Sequence, residues 1–137
     1  MRWEDAVADP VFREFWAQRR VCLLSTVRQD GRPHAVAVGA TLDPEGGMLR
    51  VITHAGSRKV AHVRAAGPAG APVTVAQVDG ARWCSVEGTA TVWAERDRIA
   101  EAERRYALRY RVPRPNPQRV VIEIAPTAVR GRWSPVQ

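Results

Sequence analysis

Ser57, Arg58 and Lys59 stand where an apolar run, Val51-Ile52-Thr53, passes through His54-Ala55-Gly56 to the expected start of a helix. A hydroxyl and two cations at such a place can hold an anion, because the free backbone N–H groups of a helix start point outward beside them. The chemistry implied is binding of a phosphate or a run of carboxylates. An Arg-Lys pair alone is the ordinary make-up of a solvated face. Its setting distinguishes it: two strands joined by a hairpin precede it and further strands follow. A second dense run is Gln77-Val78-Asp79-Gly80-Ala81-Arg82-Trp83-Cys84-Ser85-Val86-Glu87-Gly88. Arg82 and Trp83 directly follow a tight turn, where guanidinium and indole suit the flank of a planar ring system. The competing reading makes Trp83 a core filler and Arg82 a solvated charge.

Other chemistries find no support. His34, His54 and His62 show no pairing of zinc-site type, and Cys22 and Cys84 lack metal-ligand or redox spacing. Each histidine also reads as a partly buried, hydrogen-bonded side chain. Ser25 and Ser85 lie outside any Gly-x-Ser-x-Gly context, and Asp79 and Glu123 have no partner carboxylate. No catalytic side chain is assigned, so an enzyme of this sequence would rely on a bound cofactor for its chemistry.

The elements that must position these residues follow from pattern. Residues 3–19 read as a helix interrupted by Pro10. Strands are expected over 21–28 and 33–42, around the hairpin turn Gln29-Asp30-Gly31-Arg32, and then over 48–53. A helix over 57–66 and a Gly/Pro-rich loop over 67–72 lead to strands 73–78 and 81–93, joined by Asp79-Gly80. A helix over 98–110, capped by Asp97, precedes Pro113-Arg114-Pro115-Asn116-Pro117, and a sixth strand spans 119–125. Six strands in meander order exclude a doubly wound parallel sheet, which needs strand and helix to alternate throughout. The expectation is a mainly β protein, a six-stranded antiparallel small barrel whose closure removes exposed edges.

The chain is expected to be one domain over 1–137, with an N-terminal helix within 1–20 and a tail over 127–137. Apolar residues at 45% exclude a disordered chain, and no run reaches the roughly 20 residues that span a bilayer. The formal charge of +7 favours anionic partners, although scattered arginines without a recognition motif argue against nucleic acid. Two cysteines without pairing signals and no signal-peptide block point to the cytoplasm.

Several segments carry a family resemblance: Pro33-His34-Ala35-Val36-Ala37-Val38-Gly39, Arg50-Val51-Ile52-Thr53, Gly56-Ser57-Arg58-Lys59, Asp79-Gly80-Ala81-Arg82-Trp83, Glu87-Gly88, Arg104-Arg105-Tyr106-Ala107, Arg109-Tyr110-Arg111 and Pro113-Arg114-Pro115-Asn116-Pro117. Over about residues 12–125 the chain resembles the flavin/deazaflavin oxidoreductases with the split β-barrel of pyridoxamine-phosphate oxidase. Within them it is most similar to the actinobacterial coenzyme F420-dependent biliverdin reductases. The resemblance implies a homodimer with a cofactor groove between subunits and coenzyme F420 as cofactor. It places His34, Ala35, Val36, Ala37 and Val38 beside the deazaflavin ring. Thr53, Ser57, Arg58 and Lys59 would take the ribityl chain, phosphate and glutamate tail, with Arg82 and Trp83 bordering the groove. It further implies hydride transfer to a conjugated small-molecule acceptor, biliverdin first. FMN chemistry on the same fold is the alternative, since FMN also presents a phosphate to Ser57, Arg58 and Lys59; a non-catalytic flavin or tetrapyrrole carrier is another. The loop over 67–72 and the chain after Arg130 depart from the family pattern.

Overall fold

A computed structural model describes residues 1–135. The element order is α1 (Trp3–Ala8), α2 (Pro10–Ala17), β1 (Cys22–Val27), β2 (Pro33–Val38), β3 (Ala40–Asp43), β4 (Met48–His54), α3 (Arg58–Ala65), β5 (Ala71–Asp79), β6 (Arg82–Trp93), α4 (Arg96–Arg109) and β7 (Arg119–Arg132). All strand pairings are antiparallel, in the spatial order β2-β1-β5-β6-β7-β4-β3. The two ends of that order, β2 and β3, are joined through Gly39 alone. One bent segment therefore serves both edges, and the sheet curls into the split barrel that the family resemblance implies, antiparallel as the strand pattern predicts.

Seven strands replace the six expected, because the run over 33–42 is broken at Gly39. A Cβ at that position would come 2.7 Å from Cε2 of Tyr106 and 3.1 Å from Cε2 of Tyr110. Only glycine lets the two rings lie against the backbone where the strand changes partner. Gly88 plays a similar part at the β6–β7 register shift, where a Cβ would meet the Ala125 carbonyl oxygen at 2.7 Å.

The N-terminal helix is two short helices. Asp9 accepts a hydrogen bond from Val11 N–H at 2.9 Å with Pro10 at the first helical position, so the interruption is a helix start. Asp97 does not cap α4; Glu95 holds the cap position and Asp97 lies in the first turn. Strand β7 continues to Arg132, well past residue 125, and Trp133 joins the core, so residues 127–133 pack as part of the barrel.

The barrel interior holds Leu24, Leu49, Val51, Val75, Val86, Ile122 and Ile124, all essentially inaccessible to solvent. Trp133 packs on Phe12 with ring centroids 4.9 Å apart, which seats α2 against the end of β7. Helix α4 lies over β3, β4 and β7, leaving Val121 and Glu123 buried on the face away from the interior. Two networks fix it there. Asp43 pairs with Arg50 at 2.8 Å and Arg105 at 3.1 Å. The buried Arg109 donates to the carbonyl of Ala40 and to Gln77 Oε1, both at 2.7 Å.

Candidate functional site

A groove of about 360 Å³ opens where β2 ends, β4 ends and α3 begins, and the Pro-rich segment after α4 forms its far wall. Ala37, Val38 and Gly39 supply one side, Thr53 and Lys59 another, and Tyr106, Arg111 and Arg114 the third. The Pro-rich segment is held in place by the Ala55 N–H, which donates to the Gln118 carbonyl at 2.8 Å. Arg119, which also lines the groove, donates to the Arg114 carbonyl at 2.7 Å and is tied to Glu103. Three prolines restrict the backbone that carries Arg114, so its position costs little ordering on binding.

The electrostatics favour an anion. Lys59, Arg111 and Arg114 pair with no carboxylate among the described residues, whereas Arg119 is neutralised by Glu103. Burial holds the Lys59 ammonium below its ordinary value, a penalty that an incoming anion would relieve. Ser57 occupies the cap position of α3 without capping it; its hydroxyl instead lies 3.4 Å from Thr53 Oγ1. The leading N–H groups of α3 therefore receive nothing from that side chain, and two hydroxyls stand beside them. Phosphate, or a chain of carboxylates, matches this set.

Of the residues expected at the site, Ala37, Val38, Thr53 and Lys59 line this groove, and Ser57 joins them through Thr53. Arg58 is exposed on the first turn of α3. Alternation along β2 divides the rest: Val36 packs toward the core and Ala35 faces outward. His34 turns inward, its ring edge-on to His62 at 4.9 Å between centroids, and His62 shares a 2.8 Å hydrogen bond with Thr26. Arg82 and Trp83 do not join the groove within one chain. Arg82 pairs with Asp79 at 2.6 Å and lies over the Phe15 ring, while Trp83 is 43% exposed on the outer sheet face.

Tyr106, Arg111, Arg114 and Gly39 also line the site, although no role was assigned to them from sequence. The matched runs around residues 104–117 contain three of them, but only the packing of α4 against the bend at Gly39 brings them beside Lys59. The two cysteines are not chemically available. Both are buried and free, and burial pushes the Cys84 thiol up to about 12. Among the described residues no cluster of His, Cys, Asp and Glu is placed to hold a metal ion.

Comparison with known proteins agrees with this architecture. The chain is 49% identical over 117 residues to the F420H(2)-dependent biliverdin reductase of Mycobacterium tuberculosis (strain CDC 1551 / Oshkosh), covering 85% of this chain and 82% of that protein. A solved F420 reductase superposes with a TM-score of 0.65 at 23% identity, covering 86% of this chain and 94% of the other. The conserved hypothetical protein Rv2991 from Mycobacterium tuberculosis superposes with a TM-score of 0.71 at 24% identity, covering 87% and 80%. These two structures share the fold. The sequence model of the pyridoxamine 5'-phosphate oxidase family matches residues 8–133. With that match and its barrel, this chain belongs to the pyridoxamine 5'-phosphate oxidase family.

Proposed function

We propose that this protein is an oxidoreductase that passes a hydride from reduced coenzyme F420 to biliverdin, giving bilirubin. The observation that carries the reading is the 49% identity, over 85% of the chain, to a biliverdin reductase that uses F420H(2). The groove fits such a cofactor. Lys59, Ser57 and the start of α3 would hold the phosphate, with Arg58 beside them. Thr53 would meet the ribityl hydroxyls, and Ala37, Val38 and Gly39 would form the wall for the ring. His34, Ala35 and Val36 would act through the strand that presents that wall. Arg114 extends the unpaired cations beyond the helix start. That extension favours F420, whose carboxylate tail continues past the phosphate, over FMN, which ends there.

When bound, the deazaflavin supplies a two-electron hydride donor. The chain's own work is to bind it, align it with the acceptor and exclude water. No side chain of the described residues is assigned as a proton donor to the acceptor.

A homodimer belongs to the same proposal. The outer face of β2, β1, β5 and β6 carries Val27, Leu23, Val78 and Trp83 at 43–66% exposure, interspersed with Ala35 and Ala37. Leu23 pairs with both Ala37 and Ala76, and Val78 pairs with Trp83, so the patch is continuous across the strands. Monomers rarely leave such a surface open. A second copy seated on it would bring a second set of Arg82 and Trp83 toward the groove. Free, buried thiols at Cys22 and Cys84 suit a cytoplasmic setting.

Rapid mixing of enzyme, reduced F420 and biliverdin tests the reaction. The long-wavelength absorption of biliverdin should be lost in a single two-electron step. If that band persists while FMN with NADPH supports turnover, the proposal is wrong and the FMN alternative holds.

A further inference from the structure

A second groove, of about 350 Å³, adjoins the first. It shares Ala37, Val38, Gly39, Tyr106 and Arg111 with the first and extends the other way, to Arg19 and Val21. Its floor is apolar and open, since Val21 is 67% exposed at the mouth of β1. Its wall is rigid. The Tyr106 ring stacks on Tyr110 at 4.9 Å between centroids and 31° between planes. The Tyr110 hydroxyl donates to the Arg20 carbonyl at 2.7 Å, with the Ala40 carbonyl at 3.2 Å, which fixes the lower ring of the pair.

The cations of this groove fall into two kinds. Arg20 is committed to structure: it pairs with Asp79 at 3.2 Å and donates to the Phe15 carbonyl and Gln77. Arg19 and Arg111 are exposed, come from different segments and pair with no carboxylate among the described residues. A bed of Val21, Ala37, Gly39 and the Tyr106 ring, flanked by two unpaired guanidiniums, suits a conjugated molecule with two carboxylates.

We propose that this second groove is the acceptor subsite, in which Arg19 and Arg111 bind the two propionates of a linear tetrapyrrole lying on Val21, Ala37, Gly39 and the Tyr106 ring. The proposal rests on reading the first groove as the deazaflavin site. The common wall at Ala37–Gly39 then brings donor and acceptor into contact at one place. Arg19 lines only the acceptor side, so it governs acceptor affinity without touching the cofactor; Arg111 lines both.

The test titrates biliverdin, and separately its dimethyl ester, into the full-length protein and follows the visible difference spectrum without cofactor. Wild type should bind the diacid at least about tenfold more tightly than the diester, since a charge-assisted contact contributes that much or more. Arg19→Gln should weaken diacid binding by about tenfold, leave diester binding unchanged and leave F420 fluorescence quenching unchanged. Arg111→Gln should weaken both ligands. In turnover, Arg19→Gln should raise KM for biliverdin about tenfold with kcat within twofold. Arg64→Gln, an exposed cation at the far end of α3, should change nothing. The subsite is refuted if wild type does not discriminate diacid from diester, if Arg19→Gln binds the diacid like wild type, or if Arg64→Gln weakens it equally. Loss of F420 quenching in wild type would overturn the cofactor reading alone, because the acceptor titration contains no F420.

Discussion

Lys59 is the one lysine of the chain, and its charge is met by no carboxylate among the described residues. A half-buried ammonium in that state costs stability until an anion arrives, so binding should draw heavily on it. Lys59→Gln is expected to weaken F420 by about 1.5–3 kcal/mol, or roughly 10- to 150-fold. The loss should be similar for F420 lacking its glutamate tail, because Lys59 lies beside the start of α3. Arg114→Gln should instead penalise only the tailed cofactor. Fluorescence quenching with both forms separates the two roles; identical profiles for the two variants would refute the division. His62 gives a pH dependence. Burial first, then His34, Arg28 and Arg58, hold its imidazole below the ordinary value of 6.5, against the opposing pull of Asp30. The unfolded chain then binds a proton that the folded chain refuses, so stability is full above about 6.5 and declines as pH falls below it. Melting temperature should drop between pH 7.5 and 5.5, and His62→Gln should flatten that slope. An unchanged slope in the variant would exclude His62 as its source.

Among the elements, the bend between β2 and β3 and the seating of α4 carry the site. Tyr106 reaches the grooves because Gly39 leaves room for it, and Arg105 and Arg109 hold its helix in register. Gly39→Val should place its side chain into both tyrosine rings and cost about 1–3 kcal/mol by overpacking. The same variant should lose F420 quenching, since the wall of the groove moves with the rings. Asp43 is the anchor on the other side. Burial pushes its carboxyl up, but the Gly46 N–H together with Arg50 and Arg105 outweighs burial and leaves it below its ordinary value. Its contribution is therefore present above about pH 4 and lost as pH falls through the lowered value. Asp43→Asn leaves Arg50 and Arg105 without a counter-charge and should cost about 3 kcal/mol, read as a lower midpoint in urea. A loss below about 1 kcal/mol would mean that the arginines find other partners.

For the assembled protein, the uncovered sheet face sets the expected state. Light scattering at micromolar concentration should give twice the 15.2 kDa of one chain. Leu23→Glu puts a charge at the centre of the patch while its backbone stays paired with Ala37 and Ala76, so the fold should survive and the dimer should not. If the variant stays dimeric with wild-type cofactor affinity, the interface lies elsewhere. If Arg82 and Trp83 act from a neighbouring copy, the monomeric variant should also bind F420 more weakly.

Strand runs and hairpin turns were legible from residue order, because each depends on contacts or preferences within a few positions, and the Ser57-Arg58-Lys59 run stood out as a candidate anion site by its place after an apolar strand. The family resemblance likewise followed from runs of adjacent residues, and the family and its activity class agree with it. The break at Gly39 was not legible, because it arises from two rings some seventy positions away. Nor could the pattern show which of His34, Ala35, Val36, Ala37 and Val38 face the groove, since a one-residue register change reverses every side chain. Free and neutralised cations look alike in a sequence: Arg119 is silenced by Glu103 and Arg20 by Asp79, while Arg19, Arg111 and Lys59 meet no carboxylate among the described residues. That distinction depends on distances across the fold, where Coulomb attraction acts between groups that the chain order leaves far apart.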